Sequence, residues 1–459
     1  MKVAVIGLGY VGLPFAISIS KGFISNKMKN SIVIGIDNDY KLISKIQNKD
    51  FPLITEDLSL EKTFYKVIQN KNLEFSSNIN SISKANIIIV SINFDLNHYN
   101  YKRNKFDKNF IDLFQNIGSK MKNSALLVIQ STLPPGTGNK IIIPILMSEF
   151  KKRNINLNDL NYVHSYERVT PGSNYLNSII NSWRCFGANN KKAAKKFKKF
   201  ADLFINTKKY PLYQMNDVLH SETAKILENS YRALNIAFID EWEKFSRKNN
   251  INLFNILNGI RKRPTHKNIM NPGLGVGGYC LTKDPLFMNY SKKILNDNST
   301  KFKFTNMSVK INKKMTDNSI SILEEFFYKN FSNENIKNVN VILFGVAYKS
   351  DVGDLRYSAS NKIYDYLKSL KLKIQIIDPY VKNYNNFNTF KDIKSISLNK
   401  LNVLIFCTSH AQFKKINFDK FDFSKSYFVF DTNNCLTDPQ LSCLKKRKIM
   451  LRRIGDGTL

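Results

Sequence analysis

Lys2-Val-Ala-Val-Ile6 followed at once by Gly7-Leu-Gly9-Tyr-Val-Gly12 decides how this chain begins to fold. The first five residues are apolar and β-branched beyond Lys2, which predicts a buried strand. Gly-x-Gly-x-x-Gly comes next, then a helical stretch from Leu13 to Lys21, then a second strand, Ser31-Ile-Val-Ile-Gly-Ile36, ending in Asp37. Strand, glycine turn, helix, strand and acid together make a dinucleotide-binding unit. Gly7 permits the tight turn, Gly9 lets a pyrophosphate approach the backbone, and Gly12 lets helix pack on strand. The turn, Tyr10 and Val11 included, is assigned to the cofactor. The helix start offers unpaired N–H groups and a positive dipole end to phosphates. Asp37 is expected to accept ribose hydroxyls and to repel a 2′-phosphate, which selects NAD over NADP.

Val3 to Ile19 is almost wholly apolar after a single lysine, so a signal peptide or membrane anchor must be weighed. Glycines at nucleotide-binding spacing and Pro14 argue against it, and the run is shorter than the roughly 20 residues that span a bilayer. No other segment is long and apolar enough, so a soluble, cytoplasmic protein without a membrane partner is expected. Five cysteines, at 185, 280, 407, 435 and 443, include no Cys-x-x-Cys pair. They make neither a disulfide framework nor a zinc site, and no histidine has metal-ligand spacing, so no metal is expected.

The formal net charge of +34 raises nucleic acid as a partner. The lysines are spread along the whole chain, however, and form no stripe. In the densest cluster, Lys191 to Lys199, Ala194, Phe197, Ala201 and Phe204 fall on one helical face and the lysines on the other, the pattern of a solvated amphipathic helix. Nucleic acid is therefore not an expected partner. The excess charge favours an anionic nucleotide substrate.

A second informative stretch runs from Asn271 to Leu286: Asn-Pro-Gly-Leu-Gly-Val-Gly-Gly-Tyr-Cys-Leu-Thr-Lys-Asp-Pro-Leu. Four glycines lead into Cys280, with Lys283 and Asp284 beyond. Such backbone can approach a ligand closely, a thiol two residues on can be held against it, and a nearby lysine favours the nucleophilic thiolate. The bland reading is a loop with a buried cysteine.

Strand and helix patterns alternate through the first two hundred residues, with further strands at Asn86–Val90 and Ala125–Ile129, which implies a parallel, doubly wound sheet. A helix of roughly 45 Å, at 1.5 Å per residue, is predicted from about Val218 to Asn249. Its apolar residues Ala224, Leu227, Tyr231, Leu234, Phe238 and Phe245 follow a 3/4 spacing. A helix this long connects domains or pairs with a copy of itself. After residue 330 the α/β rhythm restarts, with strands at Asn340–Phe344, Lys373–Asp378, Leu401–Phe406 and Tyr427–Asp431 and a helix from Ser358 to Leu370. This half has no Gly-x-Gly-x-x-Gly and no short repeat of the first half, and Asn383 to Asn388 reads as a loop. The expected architecture is α/β: two Rossmann-like doubly wound domains joined by a long central helix. The expected boundaries are 1–206 for the NAD domain, 207–315 for the helical region and 316–459 for the second nucleotide domain.

Lys225 and Asn229 are four apart on the long helix and share a face, which Arg232 continues. On pattern alone this is a solvent-facing polar stripe. Glu167, in Ser165-Tyr-Glu-Arg-Val-Thr-Pro-Gly172, is by itself an ordinary loop acid. Thr132, in Gln130-Ser-Thr-Leu-Pro-Pro-Gly136, closes a strand where ligands bind in open α/β folds.

In this order the motifs resemble the UDP-glucose/GDP-mannose dehydrogenases, the nucleotide-sugar 6-dehydrogenases. The matching pieces are Gly7 to Pro14, Ser131-Thr132 with Pro135-Gly136, Glu167-Arg168, Lys225 with Glu228-Asn229, Gly277-Gly-Tyr-Cys280 with Lys283-Asp284, and Gly345-Val-Ala-Tyr-Lys349 with Asp354-Leu-Arg356. The resemblance implies an N-terminal NAD domain, a central region that forms a homodimer and a C-terminal nucleotide-sugar domain. It also implies oxidation of a sugar CH2OH to a carboxylate with two NAD and one water. In that reaction Asp284 and Lys225 polarise the water that takes the alcohol proton, and Cys280 captures the aldehyde as a thiohemiacetal. The resulting thioester is hydrolysed by water helped by Glu167 and held near Thr132. Lys225 and Asn229 stabilise the oxyanions. Glu167, Arg168, Lys225, Asn229, Gly277, Gly278 and Lys349 are implied at the substrate, Lys349 on its phosphates. Thr132, Lys283 and Arg356 are implied at the cofactor, Arg356 on its pyrophosphate.

Departures from the family pattern are Ser91-Ile-Asn-Phe-Asp95 in place of a Thr-Pro pair, Tyr279 before the cysteine, and Asp240-Glu241 late in the long helix. Arg-Val-Thr-Pro-Gly after Glu167 is closer to N-acetylated-sugar members, which leaves UDP-N-acetylhexosamine and UDP-glucose both open. Two competing functions remain at this stage. One is a two-electron sugar or hydroxyacid dehydrogenase, or an epimerase; a short-chain epimerase would need Tyr-x-x-x-Lys, and neither such string, Tyr101–Lys105 or Tyr364–Lys368, follows the right elements. A non-enzymatic nucleotide- or RNA-binding protein would need a localised basic face.

Overall fold

The computed structural model describes residues 1–95, 99–100, 105–331, 335–392, 402–420 and 426–457. The chain divides into two compact units, 1–228 with 286–302, and 229–285 with 303–459.

In the first unit, strands β1 (Lys2–Ile6), β2 (Ile32–Ile36), β3 (Leu73–Ser76), β4 (Ile87–Val90), β7 (Leu126–Ile129), β8 (Asn161–His164), β9 (Cys185–Ala188) and β10 (Tyr213–Gln214) form one sheet, and β5 (Tyr99–Asn100) pairs with β6 (Lys105–Phe106) as a separate hairpin. The sheet order is β10-β9-β8-β7-β4-β1-β2-β3. Neighbours run parallel except for β8 against β9. Alternation along each strand feeds two cores. Val3, Val5, Val33, Ile89 and Val128 face one side, under the helix Gly12–Ser25 with Leu13, Phe15 and Ile17. Ala4, Ile6, Ile88, Val90 and Leu127 face the other, with Phe110, Phe114 and Phe150. Strands apolar at every position are what a sheet covered on both faces requires.

The second unit repeats the scheme with five strands. These are β11 (Asn340–Phe344), β12 (Lys373–Ile377), β15 (Asn402–Phe406), β16 (Ser426–Asp431) and β17 (Met450–Arg453), in the order β12-β11-β15-β16-β17, all parallel. The expected strands are present; Leu401, placed in one of them, lies outside the described residues. The stretch read as a loop is instead a hairpin, β13 (Asn383–Tyr384) against β14 (Phe387–Asn388). Asn385 and Asn386 both take positive φ, 47° and 68°. That is the two-residue turn whose twist matches antiparallel strands, and asparagine tolerates it.

The long helix, Val218–Lys248, is turned inside out relative to its composition. Ser221, Glu222, Lys225, Asn229, Ser230, Asp240, Glu243 and Ser246 are buried, whereas Leu227 (67 % exposed), Tyr231, Leu234, Phe238, Trp242 and Phe245 (53 %) are exposed. The expectation of a solvent-facing stripe at Lys225 and Asn229 is therefore wrong; only Arg232, which continues it, is exposed. Side chains answer the buried polar face. In the second unit Asn312 Nδ2 donates to Ala233 O at 2.9 Å and Asn318 Nδ2 to Glu243 Oε2 at 2.8 Å, both from the helix Lys303–Asn330.

The lysine cluster behaves as its periodicity predicts. Ala194, Phe197 and Ala201 are buried, and so is Phe204 just beyond the helix end, while Lys191, Lys192, Lys195, Lys198 and Lys199 are exposed. Among the described residues no helix is long and apolar enough to cross a membrane.

Candidate active site

In the first unit β1 runs into Gly7, at φ +89°, whose N–H donates to Ile36 O at 2.8 Å. A Cβ on Gly12 would fall 1.7 Å from Gly7 O, so only glycine lets the helix begin this close to the strand end. A Cβ on Gly9 would meet nothing within 4 Å, so the turn is open there. The N-cap position is Val11, whose side chain cannot accept a hydrogen bond, so it leaves the helix N–H groups to other acceptors. The Tyr10 carbonyl accepts from the Tyr175 hydroxyl. Asp37 is half-buried; its Oδ2 accepts from Leu8 N at 2.7 Å and its Oδ1 from Asp39 N at 3.0 Å. An open glycine, an uncapped helix start and a carboxylate at the next strand end are what a dinucleotide needs.

Three further candidates of this unit lie on the loops after β7 and β8. Thr132 is half-buried after Ser131, whose hydroxyl donates to Ile92 O at 2.7 Å. In the departure from the Thr-Pro pattern, Ser91 Oγ donates to Gln130 Oε1 at 2.7 Å and Phe94 packs on Phe110 and Phe287. Glu167 meets Lys225: the buried Nζ donates to Glu167 O at 2.9 Å and lies 3.7 Å from Oε1. Arg168 is committed to its surroundings, at 3.2 Å from Glu228 Oε2, with further bonds to Tyr166 Oη and Trp183 O.

Sequence reasoning missed the groups beneath these residues. Glu222, wholly buried, accepts from Gly136 N and Gly138 N, both at 2.8 Å; burial pushes its carboxyl up to about 8 despite those two N–H groups. His164 is likewise buried, with Nδ1 2.8 Å from Ser221 Oγ and Nε2 3.3 Å from Ser131 O. Burial, and less strongly Lys225, holds its pKa down at about 4. Arg184 is buried with its guanidinium 4.7 Å from the Phe15 ring centre, and burial lowers it to about 10. One signal was available: Ser221, Glu222, Lys225 and Asn229 align on one helical face, opposite an apolar one.

In the second unit Asn229, one helical turn beyond Lys225, donates through Nδ2 to Asp284 Oδ2 at 2.8 Å, and Lys283 Nζ lies 2.8 Å from Asp284 Oδ1. All three side chains are buried. Cys280, in the short helix Tyr279–Lys283, is exposed, which replaces the bland reading of a buried thiol. A Cβ on Gly277 or Gly278 would lie 2.8 and 2.5 Å, respectively, from the Tyr348 side chain. Their smallness makes room for a neighbouring ring.

Tyr279 lies between two cations, with Lys283 Nζ at 4.4 Å and the Arg356 guanidinium at 5.2 Å from its ring centre. Arg356 forks onto Asp354, with NH2 to Oδ2 at 2.7 Å, while its carbonyl accepts from Gly278 N at 3.0 Å. Lys349 is half-buried, and burial followed by Arg232 lowers its pKa. Of the two Tyr-x-x-x-Lys strings, Tyr364 is buried against Tyr384, and Tyr101 lies outside the described residues.

Comparison with known proteins fits this arrangement. Three sequence profiles of the UDP-glucose/GDP-mannose dehydrogenase family match: its NAD binding domain over residues 1–205, its central domain over 220–314 and its UDP binding domain over 342–438. The chain is 30% identical to the UDP-N-acetyl-D-mannosamine dehydrogenase of Methanococcus aeolicus, over 99% of this chain and 95% of that one. It is 24% identical to the UDP-N-acetyl-D-glucosamine 6-dehydrogenase of Salmonella typhi, over 91% of each. The solved structure of UDP-D-ManNAc dehydrogenase from Pyrococcus horikoshii shares the fold, with a TM-score of 0.81 at 23% identity over the whole of both chains. The chain belongs to the UDP-glucose/GDP-mannose dehydrogenase family. It is an NAD-dependent oxidoreductase with a UDP-binding domain for a nucleotide-sugar substrate, which removes the non-enzymatic alternative.

Proposed function

We propose that this chain oxidises the 6-CH2OH of a UDP-N-acetylhexosamine to the carboxylate, in two steps joined by a covalent adduct on Cys280. The observation that carries this reading is the buried Asp284 carboxylate, held by Asn229 and Lys283 one turn from an exposed thiol. Asp284 polarises the water that accepts the alcohol proton. The Cys280 thiolate adds to the aldehyde carbon as a thiohemiacetal, whose oxyanion Lys225 and Asn229 stabilise. Loss of hydride from that carbon leaves a thioester. Water activated by Glu167 and held by Thr132 cleaves it, releasing the acid and restoring the thiol. NAD, when bound, takes the hydride in each oxidation. Gly7, Gly9, Tyr10, Val11, Gly12 and Asp37 would hold it, with Thr132, Lys283 and Arg356 in supporting contacts. Arg168, Gly277, Gly278 and Lys349 serve the substrate, Lys349 through its phosphates.

The N-acetylated sugar is favoured over UDP-glucose by Arg168-Val-Thr-Pro-Gly172 and by the relatives, which include dehydrogenases of both UDP-N-acetyl-D-mannosamine and UDP-N-acetyl-D-glucosamine. We divide the chain functionally at 1–206, 207–315 and 316–459. We place it in the cytoplasm, where its free cysteines suit a reducing medium. The exposed apolar face of the long helix supports a homodimer.

The test is a panel of UDP- and GDP-sugars with NAD, following reduced cofactor and identifying the acid by mass. Two NADH per sugar oxidised is the expected result; one per sugar would establish the two-electron alternative. Cys280→Ser should abolish turnover, and steady-state uronate formation by that variant would remove the nucleophile.

A further inference from the structure

We infer that Glu222 is a positioning residue, a carboxyl clamp that registers the Thr132 loop against the helix face bearing Lys225. This rests on the roles given above to Thr132 and Lys225. The long helix meets the loops after β7 and β8 through a run of side chains at positions 221, 222, 225 and 228, which share one face. Ser221 ties to His164, whose other ring nitrogen faces Ser131 O. Lys225 and Glu228 reach Glu167 and Arg168. Glu222 reaches the loop beyond Thr132 twice, with Oε2 accepting from Gly136 N and Oε1 from Gly138 N at 2.8 Å each.

The geometry around this clamp leaves little slack. Gly136 has φ +97°, and a Cβ on Gly138 would lie 2.6 Å from Val218 Cγ1 and 3.0 Å from Glu222 Oε1. The two glycines thus let the loop come within hydrogen-bond reach of the helix. Thr137 adds a bond from its hydroxyl to Pro134 O at 2.6 Å, and a wide helical turn, Gly138–Ile142, starts at the second clamped residue. Burying a carboxyl group is costly unless fixed donors answer it; here two backbone amides do so, and their own alternative is to be buried without an acceptor. The loop has one register that satisfies all three groups. Thr132 lies four residues before the first clamped amide, so that register also sets where its hydroxyl stands.

The test uses the full-length chain with NAD and UDP-N-acetylmannosamine, comparing wild type with Glu222→Gln, Glu222→Asp, Thr132→Ala and Lys225→Met. Glutamine keeps the shape of the side chain but turns an amide N–H₂ toward one of the two donors. Glu222→Gln is expected to lower kcat roughly 10- to 100-fold, the scale of an ångström-level misplacement. Amide exchange should speed up in peptide 131–142 but not elsewhere, and any loss of NAD affinity should not exceed that of Thr132→Ala, because Thr132 also supports the cofactor. Glu222→Asp, which reaches only one donor, should fall between. The clamp is overturned if exchange in that peptide is unchanged or if it accelerates while kcat holds. Lys225→Met keeps the two ideas apart. Normal turnover by that variant would sink the catalytic assignment, while the exchange and kcat of Glu222→Gln would still decide the clamp.

Discussion

The two nucleotide folds of this chain begin with the same device and put it to different use. In the first, β1 ends in Gly7 at φ +89°, Gly7 N donates to Ile36 O, and Asp37, closing β2, accepts from Leu8 N. In the second, β11 ends in Gly345 at φ +83°, Gly345 N donates to Ile377 O, and Asp378, closing β12, accepts from Val346 N at 2.8 Å and Ala347 N at 3.2 Å. From there they diverge. Asp37 is half-buried and leaves its outer edge to solvent, whereas Asp378 is wholly buried. Asp378 also accepts from Tyr380 N and Val381 N and lies 3.3 Å from His410 Nε2. Asp351 N donates to His410 Nδ1, so the ring proton sits on Nε2 and points to Asp378. One helix starts at Gly12, directly after its turn; the other starts at Ser360, after a long loop. The first acid is available to a ligand, and the second is consumed in holding its own turn.

The difference can be broken most forcefully at Asp378. Asp378→Ala should strip four backbone N–H groups and His410 of their acceptor in a dry site, costing about 3–5 kcal/mol of stability in thermal or denaturant unfolding. Asp37→Ala, by contrast, should shift stability by less than about 1 kcal/mol while raising the KM for NAD. Equal loss of stability in the two variants would show that both acids are structural.

Acid titration probes a second contrast, since the first unit also buries a histidine, but one whose ring meets Ser221 Oγ and Ser131 O. The His164 ring is held at about 4 by burial. Its folded pKa lies below the unfolded value, so between them the unfolded chain binds the extra proton. Stability from this group is intact above pH 6.5 and is lost as pH falls toward 4, by roughly 3 kcal/mol in all. The measurement is the difference between wild type and His164→Gln in unfolding free energy at pH 7.5 and at pH 4.5. A difference that does not shrink on acidification would rule out a neutral buried ring.

Legibility followed the same divide. The first turn was readable because a phosphate site needs three glycines at fixed spacing, and Gly7, Gly9 and Gly12 supply them within six residues. The second was not seen as its counterpart, because only Gly345 and Asp378 are shared and the intervening Val-Ala-Tyr-Lys carries no glycine signature. Alternating apolar strands revealed both sheets, since burial on two faces dictates that composition. The long helix was legible in length but not in orientation. Periodicity shows that a helix has two faces, and apolar residues are ordinarily turned inward, but Glu222, Lys225 and Asn229 are buried because loop amides, a carbonyl and a carboxylate wait for them. Those partners lie 55 to 86 residues away in sequence, beyond any local pattern.

The exposed side of that helix sharpens the comparison at lower cost. Phe238, Trp242 and Phe245 form an exposed edge-to-face ladder, with ring centres 6.3 and 5.8 Å apart. If the proposed homodimer forms through this face, Phe238→Lys with Trp242→Lys should leave the fold of each unit intact and weaken self-association at least tenfold, as read by sedimentation; unchanged self-association would remove this face as the interface.

The smallest effect on stability is expected at Gly9, and it bears most directly on what separates the two turns. Gly345→Ala would force a positive φ on alanine and set its Cβ 2.5 Å from that of Thr408, so it should destabilise the chain by about 1–3 kcal/mol. Gly9 carries no such constraint: its φ is not positive, and a Cβ there would meet no atom. Gly9→Ala should therefore leave unfolding free energy within about 0.5 kcal/mol of wild type. Yet if that open space belongs to a pyrophosphate, the methyl group stands where the ligand must come close, and NAD affinity should fall about tenfold or more. A glycine with no reason to exist in the protein alone would then have its reason in the cofactor. An alanine that binds NAD as tightly as wild type would leave Gly9 without one, and the first turn would differ from the second only in the fate of its acid.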